Sequence, residues 1–125
     1  MELTKELFQQ IWEKATPMEG ITPSLWRKDA CGAIIAVDAY DDEDSCFGWR
    51  VDHILPIAKG GGDDILNLRP MQWQNLKSKG NDYPHYLSAV VADGNRNTTL
   101  FARRQCTVNK CLQEKLAGLY PQNNK

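Results

Sequence analysis

The chain has 125 residues, 42% of them hydrophobic and 25% charged, with 15 Lys and Arg against 16 Asp and Glu and a formal net charge of −1. That describes one globular domain with a single core, and argues against disorder. No apolar run approaches the ~20 residues of a membrane helix, charged and amide residues interrupt MELTKELFQQIWEKA where a signal peptide would be apolar, and the balance of charge is not that of a typical nucleic-acid-binding domain.

Thr4 is placed to cap a first helix, in which Leu7, Phe8, Ile11 and Trp12 repeat at helical spacing to roughly Ala15. PMEGITPS breaks that pattern, and CGAIIAV (31–37) then reads as a strand. FGWRVDHILP reads as a second strand closed by Pro56, so the two are expected to form a hairpin across the acidic turn DDEDS. KGGGDDI permits no regular structure, because three successive glycines disfavour helix and strand alike. A short extended piece, ILNLRP, leads into a short helix, MQWQNLKSKG, with Met71 and Leu76 inward and Gly80 as its C-cap. LSAVVA is expected as a short strand or helix and DGNRNTT as a loop. LFARRQCTVNKCLQEKLAGL is expected as a helix on the spacing of Leu100, Arg104, Val108, Cys111, Leu112 and Leu116; the tail PQNNK should fray.

Cys31, Cys46, Cys106 and Cys111 form no C-x-x-C pair, so reduced packing thiols are expected rather than a structural zinc. A soluble cytoplasmic protein follows, with no membrane partner.

The segment that carries chemistry is WRVDHILPIAKGGGDDILNLRPMQWQNLKSKGN, Trp49 to Asn81. Asp52 is a hard oxygen ligand suited to Mg²⁺ or Mn²⁺. His53 beside it can accept a proton from water near neutral pH. Neighbours on a strand point to opposite faces, so the pair reaches one site only at a twisted or terminal strand. Asn67 can bond backbone across the glycine loop and hold its arms in register. Arg50, Lys59, Arg69, Lys77 and Lys79 fall in the same stretch and could together contact phosphates. His85, in YPHY, reads as a surface or turn residue.

The order DHI-x-P, GG-x-D, NL and a closing Lys resembles the HNH endonucleases, the ββα-metal nucleases, in a bacterial or phage type without zinc-binding C-x-x-C pairs; WRKDACGA resembles the lead-in of such proteins. The resemblance is dense over Val51–Lys79 and absent from the last forty or so residues. It implies an α+β fold, with a ββα-metal core (49–81) in a single domain (1–125) flanked by N-terminal and C-terminal helices. It implies a divalent-metal-dependent endonuclease acting on DNA with one Mg²⁺ or Mn²⁺, nicking one strand at a time unless the protein dimerises. Asp52 would hold the metal, His53 would activate water, and Asn67 would orient loop and base. Gly60, Gly61, Gly62, Asp63 and Lys79 match the loop glycines, the acid after them and the closing lysine. The motif's last ligand falls on Leu76, which binds no metal. Three alternatives follow: Asn75, one residue earlier, serves instead; Asp52, water and substrate phosphate hold the metal; or the chain is a catalytically weakened HNH-fold module that binds nucleic acid or a protein partner. A core of Trp12, Trp26 and Trp49 would replace the zinc staple.

Overall fold

The computed structural model of the protein describes residues 1–122; the last three residues of the PQNNK tail lie outside the described residues. It is a mixed α+β fold of three α-helices and small antiparallel sheets.

Helix α1 (Lys5–Trp12) starts where Thr4 Oγ1 accepts a hydrogen bond from the Leu7 amide at 3.1 Å. It ends three residues earlier than its spacing predicts, because the approaching Thr16-Pro17 disfavours helical backbone. The chain turns there: the Arg27 guanidinium donates to the Glu13 and Ala15 carbonyls at 3.2 and 3.0 Å. Strands β1 (Thr16–Pro17), β2 (Trp26–Lys28) and β3 (Ile34–Ala36) form a small antiparallel sheet in that order.

Strand β4 (Trp49–His53) pairs antiparallel with β5 (Leu68–Gln72), from Trp49↔Gln72 to His53↔Leu68, and helix α2 (Trp73–Lys79) follows at once. The expected hairpin between CGAIIAV and FGWRVDHI does not form, since β3 pairs with β2. The acidic segment between them folds back as short turns, and what joins its arms is the buried Trp49, whose indole donates to the Ala36 carbonyl at 2.8 Å. Gly48 has no room for a side chain: an added Cβ would stand 1.8 Å from the Asp42 carbonyl oxygen.

Strands β6 (His85–Asp93) and β7 (Arg96–Thr107) form a long hairpin about Gly94-Asn95, with Gly94 at φ +66°. This corrects two expectations: DGNRNTT is a tight turn plus the start of a strand, and the helix is only α3 (Lys110–Leu119), capped by Asn109. The helical spacing of Leu100, Arg104 and Val108 is overridden by a partner strand and by the β-preferring Thr98, Thr99 and Thr107. Cys106 therefore sits on β7 and Cys111 on α3, and all four cysteines are free thiols. Among the described residues no helix is long and apolar enough to cross a membrane.

Two apolar clusters flank the β4–β5 ribbon. One gathers Ile11, Trp12, Ile35, Trp49 and Leu68, with the Trp12 and Trp49 rings 5.5 Å apart. The other gathers Cys31, Ile54, Met71, Tyr86 and Leu116, with Leu76 packed against it. Trp26 stays half-buried, edge-on to Phe47.

A polar node ties the sheets together. Asp29 Oδ1 accepts from the Cys31 and Ala33 amides at 2.9 and 2.8 Å, and Oδ2 from the Gln72 amide at 2.9 Å and Asn75 Nδ2 at 3.2 Å. Asn75 Oδ1 in turn accepts from the Ala89 and Val90 amides at 2.7 and 2.8 Å, and its Nδ2 donates to the Val90 carbonyl at 3.0 Å. Burial pushes the Asp29 carboxyl above its usual range, although four donors favour the charged form. Asp29→Asn turns an NH₂ toward two of those donors. It should destabilise the fold by about 2–4 kcal/mol, read as a lower urea midpoint at unchanged slope.

Candidate active site

After His53 the chain leaves the ribbon through Pro56 and a short 3₁₀ turn (Ile57–Lys59), and reverses at Gly60, whose φ is +99°. The loop presses so closely on the strand end that a Cβ on Gly61 would lie 1.8 Å from the Leu55 carbonyl oxygen. Only glycine fits there. Asn67, fully buried, fastens the loop: its Oδ1 accepts from the Leu55 amide at 2.8 Å, and its Nδ2 donates to the Leu55 and Gly62 carbonyls at 3.0 and 2.9 Å. The amide bonds backbone and not the imidazole; it fixes the loop from which Asp63 projects. On the far side the Tyr120 hydroxyl accepts from the Asp64 amide at 3.2 Å.

The reward of that closure is a carboxylate–imidazole pair. His53 Nε2 stands 2.8 Å from Asp63 Oδ1. An ionised carboxylate only accepts, so Nε2 carries the proton in the neutral ring and Nδ1 is left with its lone pair. Sequence reasoning placed Asp63 in the motif without giving it this role; the signal was its position directly after the glycines.

Asp52 turns the other way, as strand alternation dictates, and is 2% exposed. Arg69 Nε lies 2.9 Å from its Oδ2, and Lys79 Nζ lies 3.2 Å from its Oδ1. The Lys79 ammonium also donates to the His53 and Ile54 carbonyls, both at 3.2 Å, and stands 5.9 Å above the Tyr86 ring. Burial lowers the Lys79 pKa, with Asp52 opposing. Burial also works against the Arg69 charge, but Asp52 and Tyr86 together outweigh it and the Arg69 pKa is raised. Arg69 Nη2 reaches the Tyr86 hydroxyl at 3.2 Å, and burial pushes that phenol up to about 12. One carboxylate against two cations leaves this wall with one net positive charge.

Asp52, His53, Leu76, Gly80 and Asn81 line a common cleft of about 180 Å³. No family model, curated protein or solved structure matches this chain. The site is therefore read from its own residues.

Asn75 is not at the cleft, which corrects its assignment as a metal ligand. It is wholly buried, and both ends of its amide are engaged by Asp29 and β6. One step along a helix turns a side chain by about 100°, and that step gives the cleft Leu76. The expected phosphate-contacting face is also largely absent. Lys79 is fully buried and the Arg69 side chain is 13% exposed. Arg50 pairs with Asp41 and Glu43, and Lys77 with Glu43, because the acidic turn folds over them. Of the five, only Lys59 is exposed without an ion pair among the described residues.

Nor does this donor set fit Mg²⁺ or Mn²⁺, which need several oxygen ligands and a negative site. Among the described residues Asp52 is the one carboxylate lining the cleft, both of its oxygens already face cations, and no three His, Cys, Asp or Glu side chains converge. An internal ammonium stands 3.2 Å from an oxygen of Asp52, the residue to which the resemblance gives the metal. Mn²⁺ added to on the order of 1 mM should therefore remain free, read as an undiminished paramagnetic resonance signal. Leu76→Asn with Lys79→Ala should capture it. Submillimolar uptake by the unaltered chain would mean that Lys79 yields to the ion.

Proposed function

We propose that the chain is an HNH-type nuclease domain acting on phosphodiester bonds of DNA, with His53 as the base that activates water. The observation that carries this reading is the His53–Asp63 pair, held at 2.8 Å on a strand–loop–strand–helix frame that Asn67 fastens in register. Asp63 sets the tautomer, so Nδ1 is the atom that takes the proton from the attacking water. The cluster of Asp52, Arg69 and Lys79, buried behind the cleft, carries one net positive charge, which favours an approaching phosphodiester. The order strand, loop, strand, helix is the one the resemblance implies, with Leu76 its departure, and DNA is the partner that it implies.

A second reading, a module of the same fold that binds nucleic acid without cutting it, is favoured by one observation. Leu76 lines the cleft where the motif's last ligand would stand, and the buried Lys79 ammonium already engages Asp52.

Supercoiled plasmid incubated with the protein, with Mg²⁺, Mn²⁺ or a chelator, separates the two. The nuclease reading expects nicked circles, with His53→Ala slower by about 100-fold or more and Asp63→Asn slower in the same direction. No product from the unaltered chain, together with cleavage gained in Leu76→Asn, establishes the second reading. Nicking that His53→Ala leaves unchanged removes His53 from the chemistry and ends the first.

A further inference from the structure

The β6–β7 hairpin contains an irregularity too large to be incidental. Ser88 pairs with Arg104 and Val90 with Thr99, so a single residue of β6, Ala89, faces four residues of β7, Leu100 to Arg103. The reason lies on the other edge of β6. The Ala89 amide donates to Asn75 Oδ1 at 2.7 Å and is turned away from β7, and the surplus chain is pushed outward. At the crest of this bulge stands Phe101, whose ring is fully solvent-exposed. Beside it are exposed Arg103 and Arg104, and further along the ribbon exposed Arg96, none in an ion pair among the described residues. Below the crest a groove of about 350 Å³ runs between the ribbon and α2, lined by Trp73, Lys77, Thr99, Leu100 and Arg103. The Lys77 ammonium lies 5.1 Å over the Trp73 ring.

We propose that this bulge is a strand-binding element, on which Phe101 stacks against an unpaired DNA base while Arg103 and Arg104 hold neighbouring phosphates. Bulges re-aim side chains and recur beside functional sites. A fully wet aromatic ring gains nothing for the fold, whereas a flat apolar ring flanked by uncompensated guanidinium groups matches a polymer that alternates planar bases with phosphates. Charge decides the occupant: the acidic turn neutralises Arg50 and Lys77, and the ribbon keeps its arginines free of ion pairs among the described residues. The groove beside α2, lined by Trp73, Leu100 and Arg103, continues that surface for the next nucleotide, with Lys77 held by Glu43 at its rim. The inference rests on the nucleic-acid reading above and names the surface that reading lacks at the cleft.

The test uses the full chain with a fluorescent single-stranded oligothymidylate and with oligonucleotides carrying 2-aminopurine. Phe101→Ser should weaken binding by about ten-fold and abolish the change in 2-aminopurine emission. Phe101→Trp should restore both, and Arg103→Ala with Arg104→Ala should lower affinity and flatten its salt dependence by about 1.4 in the log–log slope. Phe101 touches nothing that the fold depends on, so its variants should unfold at the same urea concentration as the parent. Tight binding that Phe101→Ser leaves unchanged overturns the stacking element while leaving the nucleic-acid reading in place. No binding by the unaltered chain overturns both. A concentration-dependent dimer that Phe101→Ser dissolves, or binding to anionic vesicles in preference to DNA, assigns the ring to another occupant and overturns the inference.

Discussion

Two buried polar side chains with no formal partner in charge, Asp29 and Asn75, set the orientation on which everything else depends. Asp29 draws the turn before β3 onto the junction of β5 and α2, and Asn75 fastens α2 to the edge of β6. Each bond is modest alone, but leaving any of these buried groups unpaired would cost more than the bond contributes. The consequence is rotational. With Asn75 locked against β6, Leu76 and Lys79, three residues apart on one face, are delivered to the strand end where Asp52 and His53 emerge. The same lock turns the Ala89 amide away from β7 and raises the bulge that carries Phe101.

Electrostatics then distributes the work. A carboxylate as buried as Asp52 needs compensation, and it receives two cations from its own chain, Arg69 across the ribbon and Lys79 from the helix. An ammonium can meet three oxygens and an aromatic face at once, as Lys79 does, without the ligand shell that a divalent ion requires. Elsewhere Asp41 and Glu43 cancel Arg50 and Lys77. A chain with a net charge of −1 can thus still present a positive surface, provided that surface lies beyond the reach of its acidic turn.

Local signals in the sequence were legible where local physics decides the outcome. Thr4 caps α1, Gly80 ends α2, the glycine triplet makes a loop, and Asn67 holds that loop in register. What the sequence hid was partnership. Strand alternation in CGAIIAV and FGWRVDHI is compatible with either neighbour, and it was the buried indole of Trp49 and the turns of the acidic segment that left β4 to pair with β5. Leu100, Arg104 and Val108 recur at helical spacing by coincidence, and a strand lying alongside outweighed that rhythm. Lys79 reads as a surface charge until Asp52 is known to be buried beneath it. Asp29 gave no signal beyond its place in WRKDACGA, because a buried carboxylate is recognised only by the amides around it.

The loop that holds Asp63 is braced from a distance. Tyr120 lies 56 residues beyond Asp64, accepts a hydrogen bond from its amide, and closes over Gly62. During synthesis the ribbon, the loop and α2 therefore leave the ribosome well before their brace exists. The loop that carries Asp63 gains that support only when α3 has emerged and folded back. Bracing of the loop is therefore a late event in the life of the nascent chain.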